Sequence, residues 1–254
     1  MKEFLFDKDI FLKTEHPIAV ESSDRLAPSG GSGIDNFTDG TEFAEDLMKH
    51  FPGKKTLLDF GTATGTVPLT MRKAGMLAVG IEGCEMFMKN NEGAWSEMPN
   101  IIRLCDAGKP WKILDSTGNN VIFDFIISWG TVEHIPLCNV HNTMESICAH
   151  TDKNSIIMLN IDLGYNPEDW IDENGVHRGF HMLWENYPRK GQRYIREETI
   201  DMLYWILADY FIIDRELEKI DWRYSRPTWK EVEDVRAAGW TAKEGRSYWW
   251  LRKK

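Results

Sequence analysis

Leu57-Leu58-Asp59-Phe60-Gly61-Thr62-Ala63-Thr64-Gly65-Thr66-Val67-Pro68-Leu69 is the stretch from which the fold can be read. Residues 55–60 read as a short buried strand, apolar but for one acid near its end. The small residues from Gly61 to Gly65 then make a tight turn, and Val67 opens a segment of helical character. Pro68 suits a first helical turn, where a missing N–H costs nothing. Strand, turn and helix start form a cradle in which a ligand can approach bare backbone. The unpaired N–H groups and partial positive charge of the helix end lie beside it.

Outward from the cradle, strands and helices alternate. Residues 39–51 are expected to form a helix with Phe43, Leu47, Met48 and Phe51 on one stripe, stopped by Pro52-Gly53. Further strands are expected at 77–81, 101–104, 121–128 and 155–160, with helices at 84–90 and 131–150. Runs apolar on both faces and separated by helices predict a mostly parallel sheet covered on both sides. Residues 162–193, rich in Gly, Pro, Asn, aromatics and charge, break the alternation and read as a lid or binding loop. A helix at 197–209, strands at 210–213 and 247–251 and a helix at 229–238 complete the chain. Residues 1–27 show no clear periodicity and lead into the flexible Pro28-Ser29-Gly30-Gly31-Ser32-Gly33. The expected organisation is an N-terminal extension or cover over 1–40 and one domain over 41–254. An insert at about 162–194 within that domain would form a substrate lid.

Composition excludes several classes. With 254 residues the chain has ample length for a core, and its formal net charge of −10 disfavours generic binding to phosphate backbones. Cys84, Cys105, Cys138 and Cys148 include no C-x-x-C pair, so no zinc ribbon or redox motif is written here. No uninterrupted apolar run is long enough for a signal peptide or a bilayer span. The expectation is a soluble, cytoplasmic protein with no nucleic-acid or membrane partner. Eleven Trp residues point mainly to core use, with aromatic-lined cavities as the other possibility.

The residues at the strand ends are the ones to interrogate, because a nucleotide-type ligand lies across the carboxyl ends of an open parallel sheet. Those residues are Asp59, Glu82, Asp106 and Ser128-Trp129. Glu82 follows the glycine turn by about twenty residues, the place of an acid that accepts both hydroxyls of a ribose. The dinucleotide fingerprint G-x-G-x-x-G and the phosphate loop are both absent. Asp59 would repel a pyrophosphate but favour the ammonium of an amino-acid ligand.

Leu58-Asp59-Phe60-Gly61-Thr62-Ala63-Thr64-Gly65 resembles the first motif, D-x-G-x-G-x-G, of class I S-adenosylmethionine-dependent methyltransferases. The stretch from Phe123-Asp124 through Ser128-Trp129-Gly130 to Glu133-His134-Ile135-Pro136 resembles their fourth-strand signature. The resemblance implies a Rossmann-like α/β fold with a seven-stranded, mostly parallel sheet, helices on both faces and the last strand antiparallel. It implies S-adenosylmethionine as cofactor, with Gly61, Thr62 and Gly65 against its methionine part and Asp59 near the ammonium. Glu82 would then hold the ribose, Asp106 and the Ala107 backbone the adenine, and Ser128 and Trp129 the far wall. Ala63 stands where the family usually has Gly.

The expected chemistry is methyl transfer to a small-molecule acceptor, with O-methylation preferred over N-methylation, and the aromatic, polar insert points to a sugar or other biosynthetic intermediate. His134 is the candidate base, since an imidazole titrates near neutrality. The other reading is that Glu133-His134 opens the following helix or supports the cofactor. Substrate contacts are sought at Glu133, His177, His181, Trp184 and Arg189, although Arg189 sits in a basic cluster that also reads as a solvated loop. No metal is expected, because Gly130 stands where related metal-dependent enzymes carry a ligating Glu. The alternatives are a nicotinamide-dependent oxidoreductase or epimerase, which lacks its pyrophosphate loop here, and a non-catalytic cofactor-binding module.

Overall fold

The computed structural model describes residues 2–7, 9–17, 37–132, 135, 137–162, 197–217 and 246–254. Its strands in chain order are β1 (Lys2–Leu5), β2 (Phe11–Thr14), β3 (Thr56–Phe60), β4 (Leu77–Glu82), β5 (Ile102–Leu104), β6 (Trp111–Leu114), β7 (Phe125–Trp129), β8 (Ile156–Asp162), β9 (Phe211–Ile213) and β10 (Arg246–Lys253). The α-helices are α1 (Phe37–His50), α2 (Thr66–Lys73), α3 (Glu85–Asn90), α4 (Ala94–Glu97), α5 (Leu137–Ala149) and α6 (Glu197–Tyr210).

Seven strands form one sheet in the order β5-β4-β3-β7-β8-β10-β9. The five from β5 to β8 run parallel, and β10 is antiparallel to both β8 and β9. The expected seven-stranded, mostly parallel sheet with its last strand reversed is therefore what the chain forms. Alternating residues bury both faces, as a parallel sheet requires. Leu57, Phe125, Ile127, Met158 and Trp250 pack on Phe43 and Leu47 of α1 and Val67 and Met71 of α2. On the other face, Leu58, Val79, Ile126 and Ile157 pack with Met144 and Ile147 of α5 and Leu203 and Leu207 of α6. Strand order reverses between β3, paired with β4 on one side, and β7 on the other. The crevice at the carboxyl ends opens at such a reversal.

Three strands escape the sequence reading. β1 and β2 form a hairpin that adds β6 to make a second, antiparallel sheet. Each strand is only four residues long, and β2 pairs with β6 about a hundred residues away, so no local period betrays them. Phe6, Ile10 and Leu12 from the hairpin join Trp111 and Ile113 in the core beneath α5. Arg72 of α2 ties the hairpin down by an ion pair with Asp7, and its Nε donates to the Ala78 carbonyl at 3.0 Å.

Two boundaries also differ. β7 starts at Phe125 rather than at residue 121, and α5 begins at Leu137 rather than at 131. The late start of β7 follows from Asp124, whose carboxylate accepts the Lys55 N–H at 2.6 Å, the Thr56 N–H at 3.0 Å and the Thr56 hydroxyl at 3.2 Å. Its side chain holds the entry of β3, while its backbone carbonyl accepts the Ile156 N–H of β8 at 2.8 Å. The insert from residue 163 and the expected helix at 229–238 lie outside the described residues.

His150, after the end of α5, ties the small sheet to the segment that leads into β7. Its Nε2 accepts the Ile113 N–H at 3.0 Å, so Nδ1 carries the proton and donates to the Val121 carbonyl at 2.8 Å. The ring stacks on Trp111 at 5.2 Å between centroids. Burial, against the Val121 bond, pushes its pKa from 6.5 down to about 4. The unfolded chain therefore takes up a proton that the fold refuses. This contribution is fully present above pH 6.5 and is lost as pH falls toward 4, at about 1.4 kcal/mol per pH unit. His150→Gln should remove that slope and lower stability at pH 7 by about 1–3 kcal/mol. Urea unfolding at pH 7 and pH 4.5 measures both.

Candidate functional site

The strand register puts four site positions into two rows across one sheet face. Gly80 of β4, Asp59 of β3, Ile127 of β7 and Met158 of β8 are successive partners. Two residues further toward the carboxyl ends, on the same face by alternation, stand Glu82, the Gly61 turn, Trp129 and Asn160. Asp59 and Glu82, which the sequence places twenty-three positions apart, thus come together on one side of the glycine turn.

The turn is fixed from three directions. Gly61 has φ +73°, and a Cβ there would lie 1.8 Å from the Thr131 hydroxyl, so only glycine fits. Ala63 also takes a left-handed φ, +52°, in the place where the family usually has Gly. It is held there by its N–H, which donates to Glu82 Oε2 at 2.7 Å, and by its carbonyl, which accepts the Trp95 indole N–H at 2.9 Å. Thr64 O accepts the Ala94 N–H from α4 at 2.9 Å. The other Glu82 oxygen, Oε1, accepts the Cys84 N–H at 2.8 Å. One carboxylate thereby connects the turn after β3 to the turn after β4.

Asp59 is buried at 4% exposure, and the Thr62 hydroxyl donates to its Oδ2 at 2.7 Å. Thr62 reaches it across Gly80, where a Cβ would stand 2.7 Å from the Thr62 methyl. Burial lifts the Asp59 pKa from 3.8 to about 7, opposed by the Thr62 bond and aided by the nearby Glu82. Burial also raises Glu82, against the N–H bonds it accepts from Cys84, Ala63 and Gly83. Two buried carboxylates, both shifted upward by burial, thus lie under a bare backbone turn.

The remaining positions are placed less uniformly. Asp106 follows β5, its Oδ1 accepts the Gly108 N–H at 2.9 Å, and its own N–H donates to the His16 carbonyl at 2.8 Å. Ala107 is buried, and its carbonyl accepts the Thr143 hydroxyl from α5 at 2.8 Å. Trp129 stands beside the turn, edge-on to Phe43 of α1 at 5.5 Å. Ser128 alternates to the opposite face of the sheet and is fully buried. Glu133, His134, His177, His181, Trp184 and Arg189 lie outside the described residues. Among the described residues no group of three or more His, Cys, Asp or Glu side chains gathers as a metal site, and no helix is long and apolar enough to cross a membrane.

Sequence reasoning missed Trp95, Gly80 and Asn160. Gly80 carried a signal, since a glycine inside an apolar strand marks a close approach. Asn160 likewise interrupts an apolar run. Trp95 carried none, because its partner lies 32 residues away.

A family model described as a methyltransferase domain matches residues 37–227. The fold resembles magnesium protoporphyrin IX methyltransferase of Synechocystis PCC 6803, solved with bound SAH, at 13% identity over 92% of this chain and 99% of that one, with a TM-score of 0.51. DesVI of Streptomyces venezuelae is similar at 18% identity over 63% of this chain, with a TM-score of 0.39, and the chain spans 62% of its length. PH0226 of Pyrococcus horikoshii OT3 is similar at 14% identity over 75% of this chain and 89% of that one, with a TM-score of 0.49. No curated protein matches the chain.

The raised Asp59 pKa makes a sign-specific prediction. The folded protein keeps a proton that the unfolded chain releases. The contribution is therefore fully present below pH 3.8 and is lost as pH rises through about 7, opposite in sign to that of His150. Asp59→Asn stays neutral and can still accept from Thr62. Without ligand it should match the parent near pH 4 and exceed it by about 2–4 kcal/mol at pH 8, measured by denaturant unfolding.

Proposed function

The chain belongs to the methyltransferase-domain family of class I S-adenosylmethionine-dependent enzymes, and from that premise we propose that it methylates a hydroxyl of a small-molecule acceptor, such as a sugar or another biosynthetic intermediate. The observation that carries the reading is the pair of buried carboxylates, Asp59 and Glu82, on one face beside the Gly61 turn. A pyrophosphate would meet two acids there, whereas an ammonium and a ribose diol find acceptors. The cofactor, when bound, supplies an already activated methyl group, so the protein's task is orientation, exclusion of water and proton removal.

The residues fit that task. Asp59, whose pKa without a nearby cation is about 7, ionises readily as an ammonium approaches. Glu82 is fixed by backbone N–H groups from both turns, and its carboxylate is the acceptor for ribose hydroxyls. The Gly61–Gly65 turn, clamped by Glu82 and the Trp95 indole, needs no reorganisation to present its backbone. To Trp129, at the end of β7, and to Asp106 with Ala107, after β5, we assign the two sides of the bound cofactor. His134 is proposed as the base that takes the acceptor's proton, which favours a hydroxyl over an amine as the acceptor.

Calorimetric titration with S-adenosylmethionine, S-adenosylhomocysteine and NAD tests the reading. Binding of the first two and not the third is expected; tight NAD binding with no response to the others overturns it. Glu82→Ala should weaken S-adenosylhomocysteine binding by about 1.5–3 kcal/mol, because hydrogen bonds to a charged group are lost. His134→Ala should slow turnover by about a hundredfold or more at saturating cofactor, with cofactor affinity unchanged. Weakened affinity with normal turnover would instead assign His134 to binding.

A further inference from the structure

One buried side chain at the carboxyl edge of the sheet has no part in the cofactor site. Asn160 stands in β8 after Ile156, Ile157, Met158 and Leu159 and is 1% exposed. Neither its amide oxygen nor its amide nitrogen has a hydrogen-bond partner among the described residues. Its backbone carbonyl accepts the Gly130 N–H at 3.0 Å, which fixes the strand end and the chain leaving β7. An unpaired buried amide destabilises the fold, and a Leu or Ile would fill the same place in an apolar strand without that cost. Packing therefore gives no reason for an amide here.

Position gives one. Asn160 pairs in register with Trp129 and shares its face, in the row that begins with Glu82 and passes the Gly61 turn. Strands are about 4.8 Å apart, so that row spans roughly 14 Å from β4 to β8. A ligand held by Asp59 and Glu82 lies over β3 and β4. The group that receives the methyl must come from the other side, and β8 is the strand beyond Trp129 on that side.

We propose that Asn160 is a specificity-determining residue for the acceptor, and that it recognises an uncharged pair of neighbouring hydroxyls, a vicinal diol. The proposal rests on the methyltransferase reading. A carboxamide offers an acceptor oxygen and a donor nitrogen side by side. One hydroxyl of a diol donates to Oδ1 while its neighbour accepts from Nδ2, and both orphaned atoms are satisfied together. An anionic acceptor group would call for Arg or Lys at this position, and a purely apolar one would leave the amide unpaired. Trp129 beside it provides the aromatic surface on which a sugar ring lies.

Asn160→Leu and, as a smaller replacement, Asn160→Ser test this in two stages. Calorimetry with S-adenosylhomocysteine comes first, and the parent and both variants should bind it within about twofold of one another. No binding by the parent overturns the cofactor reading itself, whereas weakening of about tenfold confined to the variants overturns the assignment of Asn160 to the acceptor. The S-adenosylhomocysteine complex is then titrated with hexoses, free and nucleotide-linked, alongside deoxy counterparts that lack one hydroxyl of the diol. The parent should bind at least one diol-bearing hexose, and both the variants and the deoxy compounds should weaken that binding about tenfold or more. A parent complex that binds S-adenosylhomocysteine but no hexose overturns the diol assignment. Equal binding of the deoxy compounds, or equal binding by the variants, does so as well.

Discussion

The Glu82 carboxylate is the interaction on which the carboxyl edge of this sheet depends. It ends β4, accepts an N–H from the turn that follows its own strand and one from the turn that follows β3, and so ties the two loops together. Burial makes those bonds stronger than they would be in water and makes losing either one expensive. Ala63, in a left-handed conformation that a non-glycine residue adopts only at a cost, stays there because Glu82 holds its N–H and Trp95 its carbonyl. The ligand cradle is thus built before a ligand arrives.

The two ends of the parallel sheet use aspartate in opposite ways. Asp124, at the amino end of β7, accepts two backbone N–H groups and a hydroxyl at the entry to β3 and acts as a structural clamp. Asp59, at the carboxyl end of β3, is buried with the Thr62 hydroxyl as its donor and a second acid for a neighbour. The first is satisfied by the fold. The second is left short of positive charge, which suits the ligand role proposed for it. Asn160 shows the same asymmetry in an uncharged form, with its backbone carbonyl used by the fold and its amide unpaired.

Five tryptophans divide between core filling and the glycine turn, while Trp205 is exposed. Trp111, Trp249 and Trp250 are among the largest fully buried side chains and fill the space between sheet and helices. Trp95 and Trp129 instead stand at the glycine turn, one as a hydrogen-bond donor to its backbone and one beside it in the strand row. Position relative to the carboxyl edge, and not residue type, separates the two groups.

The sequence by itself determined the sheet, the cradle and the acids at its strand ends. Strands buried on both faces, a glycine turn with no pyrophosphate fingerprint and acids at successive strand ends are local patterns, each contained within a few residues. Only the tertiary structure decided what those acids do to one another, because Asp59 and Glu82 become neighbours solely through the pairing of β3 with β4. It alone showed the sheet of β1, β2 and β6, in which β2 pairs with β6 across about a hundred positions. It alone brought the Trp95 indole to Ala63 and left Asn160 unpaired beside Trp129. Periodicity reports which face of an element is buried. Strand order and register decide which side chains meet across elements, and one chain position carries no trace of a partner many residues away.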